Sequence, residues 1–225
     1  MKKLWLALWV CAALLPRAAA LSAAAAVTMD ADTGETLFAE NADSRLPMAS
    51  TTKIMTALVA LGEGDLDRVY TVKKQYAAVE GSSMYLEEGE RLTLRDTLYG
   101  LLLSSGNDAA AAVAGECGGE RAFVDKMNAK ARELGLTDTR FENPSGLPSD
   151  GHYTTARELA KITAAALRDP VFRDIVSTKT CTAAGRTLVN HNRLLSLYED
   201  AIGVKTGFTR AAGRCLVSAA ERNGR

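Results

Sequence analysis

The chain opens on twelve apolar residues in an unbroken run, Leu4 to Leu15, behind the positive Met1-Lys2-Lys3 and ahead of Pro16, Arg17 and small residues at Ala18 to Ala20. A run this short does not cross about 30 Å of hydrocarbon. The order positive, apolar, small is that of a secretory signal peptide. Residues 1–24 are therefore expected to be a leader cleaved between Ala20 and Ala25, and the protein is expected to be exported to the outer face of the cytoplasmic membrane or the cell wall. Past the leader the pattern changes. The stretches AVTM (26–29) and ETLFAE (35–40) flank a turn, Asp30-Ala31-Asp32-Thr33-Gly34, and predict a β-hairpin. From Ser50 to Leu61 the apolar positions 54, 55, 58 and 61 follow helical spacing. Residues 67–94 mix short strand-like pieces with turns. Helices are predicted over 94–103, 108–117, 123–134 and 155–168, the last halted before Pro170, and strands over 204–209 and 215–221. Strands at both ends enclosing a helical middle predict a discontinuous α/β unit (about 25–62 and 200–225) with a helical insertion (about 63–199) in one domain, 25–225.

Composition narrows the function classes. Of 225 residues, 47% are hydrophobic and 24% charged, and Lys plus Arg (27) balance Asp plus Glu (27). Without the leader's Lys2, Lys3 and Arg17 the count is 24 basic (27 − 3) against 27 acidic, so a nucleic-acid partner is not expected. Four cysteines, one of them in the leader, make no disulfide scaffold, and two histidines leave little room for a metal cluster. No metal or cofactor is expected.

Three short motifs carry candidate chemistry. Ser50-Thr51-Thr52-Lys53 places a serine and a lysine three residues apart at a helix start, on one face. A serine hydroxyl is a weak nucleophile until a base takes its proton, and a lysine serves as that base when burial or a neighbouring cation lowers its pKa. Ser105-Gly106-Asn107 forms a polar break between two apolar helices, and Lys205-Thr206-Gly207 lies in a predicted strand. Each motif alone has an ordinary structural explanation: a helix cap, a capped turn, an edge strand with a solvated lysine. Their ordered coincidence has a chance expectation on the order of one in a thousand or less by composition.

This set resembles that of the low-molecular-mass serine D-alanyl-D-alanine carboxypeptidases, and the likeness extends over MDADTGETLFAENAD, PMASTTKIMTAL, GSSMYLEEGERLTLRDTLYGLLLSSGNDAA, FENPSGL, GHYTTARELA, NHNRLL and GVKTGFT. The motif triplet itself is shared by penicillin-binding proteins and class A β-lactamases. The resemblance implies an antiparallel sheet flanked by helices with an inserted, mostly helical subdomain. It implies Ser50 as the nucleophile, Lys53 as the proton acceptor and Ser105 as a bridge between Lys53 and Lys205. Asn107, Lys205, Thr206 and Gly207 would bind substrate, and the backbone N–H groups of Ser50 and Phe208 would form an oxyanion hole. The implied substrates are peptidoglycan stem peptides ending in D-Ala-D-Ala, with β-lactam antibiotics as covalent inhibitors. The family pattern continues past Arg225 with one more strand, interior to the sheet, and a C-terminal helix, so a fragment of a longer product is expected and any membrane contact would lie in that missing region.

Two rival functions keep the same motifs. A β-lactamase needs a deacylating carboxylate, and Glu142 stands 37 residues after Ser105 (142 − 105), followed by NPSGL. A non-catalytic penicillin-sensing or wall-binding protein would acylate without turnover. A Ser-His-Asp hydrolase would need His152 or His191 beside the nucleophile; for both, a cap or surface polar role is expected, with a substrate contact open to His191.

Overall fold

The structure, a computed structural model, describes residues 22–224; the predicted leader lies almost wholly outside them. The expected N-terminal hairpin forms from β1 (Ala26–Met29) and β2 (Thr36–Glu40). Its turn closes because Asp30 Oδ1 accepts from Asp32 N (3.0 Å) and Thr33 N (2.8 Å). A 3-10 turn, Ala49–Thr52, then runs directly into α1 (Lys53–Leu61). The chain continues through β3 (Val69–Thr71), α2 (Lys74–Ala77), β4 (Arg91–Thr93), α3 (Leu94–Leu102), α4 (Asn107–Glu116), α5 (Glu120–Glu133) and α6 (Ala156–Leu167). It ends with α7 (Pro170–Ser177), β5 (Thr180–Ala183), β6 (Arg186–Val189), α8 (Leu194–Leu197), β7 (Ala201–Thr209) and β8 (Gly213–Ala220).

Helix α1 is the axis of the core. It packs against α3, α4, α5 and α6, and Ile54, Met55, Ala57 and Ala60 are buried among Leu98, Leu101, Val113, Phe123 and Ile162. Burial of these apolar side chains, at roughly 25 cal/mol per Å², is the main force holding α1 in place. The β7–β8 hairpin packs on the 3-10 turn and α7 packs on β7, so the C-terminal hairpin lies against residues 49–52. Local capping agrees with this packing. Thr93 and Asp96 form a reciprocal capping box on α3, and Thr155 accepts from Glu158 N on α6.

The structure is mixed α/β, with all ladders antiparallel. Among the described residues these are four two-stranded ladders, and no hydrogen-bonded ladder joins β1–β2 to β7–β8. Several elements differ from the sequence pattern, among them the single-turn α2 within the stretch read as strand-like pieces and turns. Pro170 ends α6 as expected but also starts α7, because Asp169 caps Val171 N and Phe172 N and proline suits the first helical position. The β5–β6 hairpin and the single-turn α8 were not predicted, being too short for a periodic signal.

Candidate active site

Ser50 and Lys53 share a face because the 3-10 turn brings residues three apart into register. Ser50 is half-buried and Lys53 wholly buried. The Lys53 Nζ lies 3.0 Å from Ser50 Oγ, 2.7 Å from Asn107 Oδ1 and 2.7 Å from the Ser145 carbonyl oxygen. A neutral amine has two N–H groups and one lone pair. Asn107 and Ser145 offer only acceptors, so they take the two N–H groups and leave the lone pair to the Ser50 O–H. After proton transfer the ammonium has three donors facing the same three oxygens, so the transfer needs no rearrangement. Burial, chiefly, and the nearby Lys205 charge push the Lys53 amine well below the usual lysine range, while Asp108 opposes them. The surroundings therefore favour the neutral amine, the form that can accept a proton.

Lys205, on β7, is also buried, and burial pushes it down from 10.5 to about 7. Its Nζ donates to the Thr206 carbonyl oxygen at 2.9 Å. The neighbouring Thr206 is half-buried, and its hydroxyl bonds to no described residue. Gly207 has a structural reason to be glycine: a Cβ there would stand 3.0 Å from Ser50 N and 3.2 Å from Ala49 Cβ. The β7 backbone thus lies against the amide of Ser50, whose N–H sits in the first turn and has no intrahelical acceptor. Phe208 follows with its ring exposed, opposite Arg214 on β8.

Ser105 is buried, with a left-handed backbone at φ 60°, but its hydroxyl bonds to neither Lys53 nor Lys205. The expected bridge is not formed. Ala49, immediately before Ser50, is likewise left-handed at φ 47°. Two non-glycine residues in this region cost of order 1–3 kcal/mol each and persist because their surroundings hold them.

Several groups that fix this geometry left little trace in the sequence. Ser145 contributes through its carbonyl, in a turn closed by Asn143 Oδ1 accepting from Gly146 N at 2.7 Å. Backbone groups carry no residue signature. His152, expected as a cap or surface residue, is instead buried: its Nδ1 accepts from Glu142 N (3.0 Å), so Nε2 carries the hydrogen and donates to Thr52 Oγ1 at 2.8 Å. Burial lowers His152 to about 4, keeping it neutral and tying the 142–152 loop to the nucleophile's turn. His191 is exposed at the loop before α8, and partial burial of its ring, chiefly, together with the Lys205 charge, depresses its pKa. Glu142 is engaged elsewhere. Its carboxylate bonds to Ser149 and Gly151 N and lies 3.4 Å from Arg140, and among the described residues no carboxylate bonds to Ser50 or Lys53. Beside the nucleophile's turn is a cavity of about 410 Å³ lined by Met48, Ala49, Leu147, Asp150, Tyr153 and Thr209 among others.

Two expected outcomes follow from this packing. A Cβ on Gly146 would fall 1.9 Å from the Ala49 carbonyl oxygen, and Gly146 has φ +87°. Gly146→Ala is therefore expected to lower stability by roughly 2–4 kcal/mol, read as a drop in thermal midpoint; an unchanged midpoint contradicts the contact. The second concerns Lys205. Its folded value of about 7 lies below the ordinary 10.5, so between those values the unfolded chain holds more protons and stability rises with pH. At and below the folded value the burden on the folded state is complete. Lys205→Met is expected to be more stable than the wild type near pH 7, with the advantage shrinking as pH approaches 10.5, and to acylate more slowly. Urea unfolding of both proteins across that interval checks the sign; an advantage that grows with pH contradicts it.

Comparison with known proteins defines the class first. The structure superposes on a mutant of a Streptomyces DD-transpeptidase with a TM-score of 0.88 and 40% identity, covering 92% of this chain and 88% of that one. It superposes on a D-alanyl-D-alanine carboxypeptidase from Mycobacterium tuberculosis with a TM-score of 0.85 and 39% identity, covering 89% and 78%. The fold is thus that of the DD-peptidases. Residues 12–225 match the family model described as D-alanyl-D-alanine carboxypeptidase, peptidase S11, and the chain belongs to that family. The carboxypeptidase DacF of Bacillus subtilis is 40% identical over 89% of this chain, which spans 54% of the Bacillus protein's length. A Streptomyces D-alanyl-D-alanine carboxypeptidase is 40% identical over 91% of this chain, which spans 78% of that protein.

Proposed function

We propose that the protein is an exported serine carboxypeptidase that removes the terminal D-alanine from peptidoglycan stem peptides, and that it is acylated by β-lactam antibiotics at the same residue. One observation supports this reading above the others: a buried lysine amine 3.0 Å from Ser50 Oγ. Ser50 Oγ attacks the carbonyl carbon of the D-Ala-D-Ala bond, and Lys53 Nζ takes its proton. The oxyanion is held by the N–H groups of Ser50 and Phe208, each worth about 10²–10³ in rate. The substrate carboxylate pairs with Thr206 Oγ1 in the positive field of Lys205. Ser105, whose hydroxyl has no partner among the described residues, turns between Lys53 and Lys205 and relays the proton to the leaving D-alanine nitrogen as the C–N bond breaks. Water then attacks the acyl-enzyme and releases Ser50, its proton returning through Lys53. The extracytoplasmic location rests on the leader over residues 1–24 and on the substrate.

Related proteins are named as an endopeptidase and as a transpeptidase, activities that differ from a carboxypeptidase's in the bond cleaved or in the acceptor. The engaged Glu142 carboxylate argues against the β-lactamase alternative, since it is not poised to activate a deacylating water. The test is made on the purified protein, incubated with a Lys-D-Ala-D-Ala peptide and, separately, with benzylpenicillin. Release of D-alanine together with a stable penicillin adduct is expected. An adduct without D-alanine release would favour the sensor reading, and rapid hydrolysis of nitrocefin the β-lactamase.

A further inference from the structure

The residue after the Ser105-Gly106-Asn107 motif, Asp108, belongs to no assigned part of the site. It is 1% exposed in the first turn of α4. Its carboxylate accepts four hydrogen bonds: Oδ1 from Met84 N (3.0 Å) and Ala109 N (2.8 Å), Oδ2 from Ser83 Oγ (2.6 Å) and Leu86 N (3.0 Å). Three of the four come from the 82–86 loop. That loop in turn holds Asn107, whose N–H donates to the Ser82 carbonyl (2.7 Å) and whose Nδ2 donates to the Glu80 carbonyl (2.7 Å). The other end of the Asn107 amide, Oδ1, accepts from Lys53 Nζ. The two glycines flanking this contact leave it room: a Cβ on Gly106 would stand 2.6 Å from Asp108 Oδ1, and one on Gly81 2.6 Å from Asn107 Nδ2.

We propose that Asp108 is a positioning residue for acylation: it clamps the 80–86 loop over the Ser105-Asn107 turn, and the loop's carbonyls orient the Asn107 amide so that its oxygen, not its nitrogen, faces Lys53. Each link is needed. With Glu80 O fixed beside it, the amide can only present Nδ2 to that carbonyl and Oδ1 to the lysine. A flipped amide would point N–H groups at the Lys53 amine, which would then have to turn its lone pair away from Ser50. The carboxylate also acts through space. The charged groups bearing on the Lys53 amine are Lys205 from β7 and Asp108 from α4, with opposite signs. Among the described residues Asp108 is thus the one anion acting on the base, and it keeps the amine from becoming too weak an acceptor.

This inference rests on the acylation chemistry proposed above, and two variants separate it from that reading. Asp108→Asn places an NH₂ against two of the four donors whichever way it turns, which frees the loop, and it removes the negative charge. Ser83→Ala removes one tether and leaves the charge. Both are followed as the rate of benzylpenicillin adduct formation across pH, beside the wild-type protein. In Asp108→Asn the rate is expected to fall by at least about tenfold, part of the ~10²–10⁴ that a positioned base supplies. The acid limb of its profile is expected to move to lower pH, because the amine loses the anion that favoured its protonated form. Ser83→Ala is expected to slow several-fold with its acid limb unmoved and its thermal midpoint close to wild type. A structural role alone would reduce the folded fraction without moving the limb. An unshifted limb in Asp108→Asn overturns the inference, as does a wild-type rate in Ser83→Ala, which decides the matter alone if Asp108→Asn does not fold. A wild-type protein that forms no adduct at all overturns the functional reading and this inference with it.

Discussion

Replacing Ser50 with alanine is expected to abolish both benzylpenicillin adduct formation and D-alanine release, a loss of ~10⁴-fold or more, without unfolding the protein. The stability half of this expectation comes from the site. Among the described residues the Ser50 hydroxyl bonds only to Lys53, and Lys53 keeps Asn107 Oδ1 and the Ser145 carbonyl when the hydroxyl is gone. The α1 core, built on Ile54, Met55, Ala57 and Ala60, is untouched. Intact-mass measurement and a thermal scan on the same sample check both halves. A Ser50→Ala protein that still gains the mass of the drug would place the nucleophile elsewhere.

Lys53→Arg is expected to cost ~10²–10⁴ in acylation rate, the contribution of a positioned general base. The substitution separates two roles a lysine can play. Arginine keeps a positive charge but does not release its proton in a protein, so it cannot take the hydrogen from Ser50. If the residue at 53 served only as a cation near the developing oxyanion, arginine would retain much of the rate. Because an obligate charge in a fully buried position also strains the fold, Lys53→Met provides a companion that is neutral and close in length. Both variants are expected to be slow. Comparable acylation by Lys53→Arg and wild type would remove Lys53 from the role of base.

The sequence pattern reported the long elements well, because they announce themselves by periodicity and caps. The hairpin at 26–40, α1, α3, α4, α5 and α6 lie within a few residues of the predicted bounds. It missed α7, where proline served as both a stop and a start, and the β5–β6 hairpin, whose strands of four residues are too short to alternate visibly. In the site, motif residues were legible because their chemistry demands particular side chains at fixed spacing: Ser50, Lys53, Asn107, Lys205 and Gly207 all converge on one centre. The supports were not. The Ser145 and Glu80 carbonyls act through backbone, Gly146 through the absence of a side chain, and His152 through a bond to Thr52 a hundred residues away. Such groups become visible only when the fold brings distant segments into contact. Ser105 shows the converse. Its place in the motif implied a bridge between two lysines, and the resting structure leaves its hydroxyl unbonded.

The Lys53→Arg effect rests on one condition, that burial, chiefly, and the Lys205 charge lower the Lys53 amine far enough for it to act as a base at working pH. The pH dependence of the benzylpenicillin acylation rate tests it most directly. A rate that rises through an acid limb and levels off well below pH 10.5, the ordinary lysine value, is the predicted profile. A rate that goes on climbing up to that value, or one with no acid limb at all, would contradict it.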